Sequence, residues 1–165
     1  EWIDFRKESF ILPDGKEFLP FYNYSRRNFV VIIAKTKDGK YITVRQFRHG
    51  LKKVTTEFCA GGIEGSEHES ALLAAKRELQ EETGYVSDHW KHIYTIPSNP
   101  TIADNYAYLY YADDCEKVSK QHLDSTEFLE VKEYTEDEIN DLIKNNEFVQ
   151  PIHLMGWLMV KKGVL

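Results

Sequence analysis

The run NFVVIIAKT, residues 28–36, is an unbroken β-branched and aliphatic stretch. Such a run is too apolar on both sides for a surface strand and predicts a buried one. Asp38-Gly39-Lys40 then turns the chain into a second strand, YITVRQFRHG. TTEFCAGGIEG follows as a short strand that ends in glycines. KHIYTIP and NYAYLYYADD are two further strands joined by the loop SNPTIAD, and TEFLEVKEYT is another. SALLAAKRELQEETG is helical. TEDEINDLIKNN opens on Thr135 as N-cap with Glu138 completing a capping box, and PIHLMGWLMVKK forms a last apolar helix. Strands with one central and one terminal helical region predict an α+β sandwich, a mixed sheet covered by helices. Upstream, RKESFILPDGKEFLPFYNYSR alternates polar with apolar residues around the turn signal Pro13-Asp14-Gly15. That predicts a β-hairpin arm over residues 1–25, with the main domain over 26–165.

At 165 residues the chain is long enough for one domain with a proper core and an appended arm. A formal charge of −6 argues against a nucleic-acid surface, which calls for a basic face. No apolar run is long enough to cross a bilayer, and no signal-like N-terminus is present, so no membrane role is expected. Cys59 and Cys115 lie far apart without a CxxC pattern. They predict buried thiols in a reducing cytosol rather than a disulfide or metal framework. The six histidines show no metal-ligand spacing and are expected to be structural or exposed.

The stretch KRELQEETGY, residues 76–85, carries the chemistry. At 100° per residue, Glu78, Glu81 and Glu82 share an arc of roughly 100° beside the buried face of Leu72, Ala75 and Leu79. Ala71 and Ala74 fall on the glutamate side and are expected to leave room beside the carboxylates. Arg77 falls to one edge, and Lys76 and Gln80 point to solvent. Carboxylates crowded without matching cations repel one another, and a hard divalent ion with oxygen ligands relieves that repulsion. Taken alone, the face also fits a plain solvated helix. Gly84 is the expected αL stop. The preceding AGGIEG lets backbone approach a ligand closely, or simply makes a tight strand-to-helix turn.

GGIEGSEHESALLAAKRELQEETGY resembles the Nudix box. Arg77, Glu78, Leu79, Glu81, Glu82, Gly84 and Tyr85 match its second half without a gap. The first half is two residues longer than the pattern, so either Glu67 or Glu69 fills the box glutamate. LPDGKEF, VRQFRHG, TEFCAGGIE, SNPTIADN and EFLEV extend the resemblance to the ADP-ribose and nucleoside-diphosphate-sugar pyrophosphatase branch over nearly the whole chain. In that branch a proline is usual at Cys59, and the loop ending Asp104-Asn105 often ends in Asp-Glu.

The resemblance implies a Nudix α/β/α sandwich and a homodimer whose arms exchange. It implies Mg²⁺ (or Mn²⁺) held by the Ala60 carbonyl and the carboxylates of Glu78 and Glu82, with Glu81 a further or shared ligand. Such ions neutralise the diphosphate and lower the pKa of a bound water. Glu127 is the implied general base, with Asp124 second. If neither acts as base, the role passes to Glu81. Arg48 and Arg27 match phosphate-side arginines, suited to bidentate contact. Phe21 or Tyr22 in the arm would stack on a nucleobase, although aromatics at alternate strand positions are more often packing. The activity implied is hydrolysis of ADP-ribose or a related nucleotide sugar to a nucleoside monophosphate and a sugar phosphate. A catalytically silent nucleotide-binding module and hydrolases of other nucleoside diphosphate derivatives are the alternatives. The intact RELQEETG runs against a silent module, the arm and EFCAGGIE against a triphosphate enzyme, and the acidic balance against a decapping enzyme.

Overall fold

The computed structural model describes residues 3–64 and 70–163. Glu67 and Glu69, the two candidates for the box glutamate, lie outside the described residues.

The buried run forms β3 (Phe29–Thr36), at the centre of a mixed eight-stranded sheet. On one side β3 pairs in parallel with β9 (Tyr106–Lys117), Val31 opposite Leu109. Its other side is shared by two antiparallel neighbours. β6 (Cys59–Gly62) places Ala60 opposite Val31, and β4 (Tyr41–Arg48) places Ile42 opposite Ala34. β4 also carries β5 (Lys53–Glu57) and β10 (Glu130–Tyr134), while β9 carries β7 (Tyr85–Val86) and β8 (His89–Pro97). The sequence predicts one short strand in TTEFCAGGIEG. The chain instead changes neighbours at the fully buried Phe58, so β5 serves β4 and β6 serves β3. The strand read into TEFLEVKEYT begins only at Glu130, leaving 126–129 in a loop.

Alternation along β3 feeds two cores, as a strand's period of two requires. Val30, Ile32 and Ala34 pack with Ala74, Ala75 and Leu79 of α1 (Ala71–Thr83). Val31 and Ile33 pack with Ile139 of α2 (Glu136–Lys144), Phe148, and Trp157 of α3 (Pro151–Lys161). α3 lies so close to the sheet that a Cβ on Gly156 would meet Leu109 Cδ2 at 2.9 Å and Ile33 Cδ1 at 3.0 Å. The result is the expected α/β/α sandwich. Ala74, expected to leave space beside the glutamates, is instead fully buried, because the helix turns that flank against the sheet.

Two caps fix α1. The Ser70 side chain accepts from the Leu73 N–H, and Gly84 ends the helix at φ 77° with its N–H donated to Gln80 O. A side chain at Gly84 would also stand 2.2 Å from Ser119 O, so a close crossing and the αL turn both demand glycine there. α2 carries the capping box read from Thr135 and Glu138.

β1 (Ile3–Ile11) and β2 (Glu17–Arg26) form a separate antiparallel hairpin around the predicted turn, with Gly15 at φ 82°. The arm is tied to the main sheet at its base. Tyr24 N–H donates to Ile102 O (2.8 Å), and the Arg6 guanidinium meets Asp104 Oδ2 at 2.7 Å.

Candidate active site

Gly61 and Gly62, the last two residues of β6, lie over the acidic face of α1. A Cβ on Gly61 would stand 1.9 Å from Glu78 Cδ, so the Glu78 carboxyl occupies the space a side chain would fill. One residue earlier, the Ala60 N–H donates to Glu82 Oε2 (3.2 Å). Glu82 is only 5% exposed. Burial pushes its carboxyl up to about 8, with Glu78 adding to the rise and Cys59 and the Ala60 N–H opposing it. Burial likewise raises Glu78 to about 7 against the pull of Arg77.

Arg77 is not off to one edge, as the helical projection had it. Its Nη1 donates to Glu78 Oε1 (2.8 Å) and Glu81 Oε2 (3.0 Å), and its Nη2 to Gly62 O (2.9 Å). A wheel places Cα positions, whereas a long side chain reaches both an adjacent carboxylate and one a turn away. The carboxylates therefore do have a cation, and it also fastens the helix to the end of β6.

The opposite wall is the segment between β9 and β10. Gln121 Nε2 donates to Glu82 O (2.7 Å) and Leu129 O (3.2 Å), and His122 N–H donates to Glu81 O (2.8 Å). These bonds hold the segment on carbonyls of the last turn of α1. Beyond them the chain closes a turn: Glu127 N–H donates to Asp124 O (2.9 Å), and Asp124 N–H to Glu127 Oε2 (3.1 Å). The turn sets Asp124 and Glu127 across a cleft of about 360 Å³ from Glu78 and Glu81, with Arg27 and His122 also on its walls. Gln121 and His122 were missed by sequence reasoning, because a loop glutamine and a loop backbone amide carry no periodic signal.

A second cavity of about 230 Å³ shares Arg27, Gly61 and Gly62 with the first and adds Arg48. Arg48 is anchored from behind, its Nε and Nη2 donating to Glu57 at 2.8 and 2.5 Å. Arg27 is fixed through its backbone. The buried Asn105 donates from Nδ2 to Arg27 O (3.1 Å) while its Oδ1 accepts from Ser98 Oγ at 2.5 Å. Asn105 thus faces inward as a strut.

Phe21 and Tyr22 lie on opposite faces of β2. Phe21 packs edge-on against Phe10 at 5.1 Å between centroids, and Tyr22 stacks on Phe5 at 6.1 Å. Neither is among the described residues lining the two cavities of its own chain.

The donor chemistry fits a hard divalent cation. Glu78 and Glu82 are two largely buried carboxyls, raised by that burial, and their oxygens, with those of Glu81 on the same helix face, are the hard donors such an ion takes. Among the described residues no three His, Cys, Asp or Glu side chains are drawn into one finished ligand shell. Arg77 supplies the charge that holds Glu78 and Glu81 together.

A covered mixed sheet thus carries a helix of carboxylates beneath the β6 glycines, with arginines and loop acids around one cleft. The chain belongs to the Nudix family: the family's NUDIX domain model matches residues 24–153. It is a Nudix pyrophosphohydrolase. It is 33% identical to the ADP-ribose pyrophosphatase of Bacillus subtilis (strain 168), over 98% of this chain and 88% of that protein. It is 35% identical to the methanol dehydrogenase activator of Bacillus methanolicus, over 70% of this chain and 62% of that protein. The crystal structure of an ADP compounds hydrolase shares the fold, with a TM-score of 0.85 over 98% of this chain and 86% of that one at 20% identity.

Proposed function

We propose that this chain hydrolyses the diphosphate bond of ADP-ribose or a closely related nucleoside diphosphate sugar, giving a nucleoside monophosphate and a sugar phosphate. The observation that carries this reading is the single cleft in which Glu78, Glu81, Asp124, Glu127 and Arg27 converge. It offers charge of both signs, as the binding of a diphosphate together with a cation requires. The 33% identity to an ADP-ribose pyrophosphatase over 98% of the chain supports the substrate class.

Glu78 and Glu82, with the Ala60 carbonyl and Glu81 as a further or shared ligand, would hold Mg²⁺ (or Mn²⁺). When bound, the ion supplies Lewis-acid charge at the phosphoryl oxygens and lowers the pKa of a water. Arg27 and Arg48 bind the phosphoryl oxygens from the other side. Gly61 and Gly62 let the backbone approach them. Glu127 takes the proton of the attacking water, and Asp124 is the second candidate for that role. The arm, residues 1–25, serves assembly of a cytoplasmic homodimer, where one of Phe21 and Tyr22 meets the nucleobase in the partner's cleft.

A panel of ADP-ribose, GDP-mannose, UDP-glucose, dinucleoside polyphosphates and nucleoside triphosphates, each with Mg²⁺ or Mn²⁺, tests the reading. ADP-ribose or a nucleotide sugar should be the preferred substrate, and excess chelator should abolish turnover. Glu82→Gln keeps the shape of the side chain and removes its charge, so the rate should fall by ~100-fold or more. Full activity in chelator, or a preference for triphosphates, would overturn it.

A further inference from the structure

Glu57 is 1% exposed, yet nothing in the proposed reaction uses it. Its carboxylate accepts from Arg48 Nε and Nη2 in a two-bond fork and from the Thr55 hydroxyl. The next residue is clamped from α3, where the Phe58 N–H donates to His153 Nδ1 (3.1 Å). The carboxylate is therefore fixed at both its head and its backbone. A buried ion pair is a poor device for stability alone, since apolar residues of like volume often serve as well. A fork does, however, define the plane and rotation of a guanidinium. With Nε and one Nη2 proton committed to Glu57, Nη1 and the second Nη2 proton remain for the cavity that Arg48 shares with Arg27, Gly61 and Gly62. Two adjacent N–H groups in one plane suit two oxygens of one phosphoryl group.

We propose that Glu57 is the positioning residue for Arg48: it locks the guanidinium so that its outer edge is presented to a phosphoryl group of the diphosphate, without itself touching substrate. This rests on the functional reading above, in which Arg48 binds phosphate. Burial alone would raise the Glu57 carboxyl, but the Arg48 fork and the Thr55 hydroxyl outweigh it and hold the group below its ordinary value. The pair therefore stays ionised at neutral pH.

Glu57→Gln separates positioning from charge. It removes a negative charge next to an anion site, so if charge were all that mattered, affinity for the substrate would rise. Positioning requires the opposite. For the full-length enzyme with ADP-ribose, KM should rise and kcat/KM should fall by ~10- to 100-fold, the cost of a misplaced binding group. Arg48→Lys keeps the charge and loses the fork, and should show a comparable loss. In an Arg48→Ala background, Glu57→Gln should cost nothing further in kcat/KM, because the two act as one unit. Independently of turnover, the Arg48 Nε–H should give a resolved, slowly exchanging ¹H–¹⁵N signal in the wild type that Glu57→Gln abolishes. An unchanged or lower KM in Glu57→Gln, losses that multiply in the double variant, or an Arg48 signal that survives would each overturn the assignment. If the wild-type protein neither hydrolyses nor binds any diphosphate of the panel, the functional reading fails and this inference with it. A normal wild type beside a normal Glu57→Gln variant sinks the inference alone.

Discussion

The carboxyl of Glu78 sits where the side chain of residue 61 would be, 1.9 Å from the position of a Cβ built on Gly61. The last glycine but one of β6 is thus part of the acidic face of α1, although 17 positions separate Gly61 from Glu78. Gly61→Ala should therefore act on function far more than on stability. The atom it strikes is the far end of a flexible side chain, which can rotate away, so unfolding free energy should change by less than about 1 kcal/mol. Turnover should fall by ~100-fold, because the carboxylate leaves its place. Paired denaturant melts and kinetics check this, and an active Gly61→Ala enzyme would sink the claim that Glu78 works from its present position.

Acid should destabilise the protein through His153. The imidazole is 2% exposed, its Nδ1 accepts from Phe58 N–H, and burial lowers its pKa from the ordinary 6.5 to about 4, with Glu57 opposing and Arg48 assisting. Between those values the unfolded chain takes up a proton that the folded chain refuses. The contribution of this residue to stability is therefore complete above pH 6.5 and is lost as pH drops toward 4, by up to about 3 kcal/mol. Asparagine offers an acceptor without the titration. The melting temperature of His153→Asn should accordingly be lower at neutral pH, and its gap to the wild type should narrow between pH 6.5 and 4. Parallel curves for the two proteins would refute the assignment.

The parts of this molecule that were legible in the sequence are those written as a local period or a local cap. The run of β3, the Thr135 capping box, the Gly84 stop and the hairpin turn at Pro13-Asp14-Gly15 each involve residues within about one turn of each other, and all four stand in the fold. The pairing of helix glutamates at the border of a buried face was equally visible, because 100° per residue fixes it. What was not legible needed a third dimension. The reach of Arg77 to Gly62 O depends on how the end of β6 lies over α1. The Arg48–Glu57 fork depends on the register of β4 against β5, which sets Val44 opposite Glu57 and so lets Arg48 reach back along the strand. Gln121 holds two distant carbonyls with a side-chain amide, a role no sequence pattern specifies.

The arm should be stable only in company. Phe5 is 68% exposed, Ile11 72% and Leu19 59%, on a two-stranded hairpin anchored to the main sheet near its base. A lone hairpin is marginal in water, and exposed apolar area of this kind marks an interaction surface. The full-length protein should sediment as a dimer. Deletion of residues 1–24 should give a monomer or an insoluble protein that has lost activity, and it also removes the Arg6 partner of Asp104. A monomeric, active full-length protein would end this reading at once.

The general base should be separable from the ligands of the cation. Glu127 stands on a loop turn across the cleft from Glu78, in a segment pinned to the end of α1 by Gln121 and His122. It is exposed and shares its turn with Asp124, whose N–H it accepts at 3.1 Å. A base acts on the water only as the transition state forms, whereas Glu78 also holds the cation in the ground state. Glu127→Gln should therefore lower kcat by ~100-fold or more and leave substrate binding in Mg²⁺ nearly intact. Glu78→Gln should weaken both. Steady-state kinetics and calorimetry on Glu127→Gln, Asp124→Asn and Glu78→Gln decide the matter. The turn itself makes a mixed result informative, because Glu127→Gln still offers an oxygen to the Asp124 N–H and so keeps the loop closed. A dead Asp124→Asn beside a normal Glu127→Gln moves the base to Asp124. Two active variants place water activation on the helix, where Glu81, paired to Arg77 at 3.0 Å on the cleft side, is next in line.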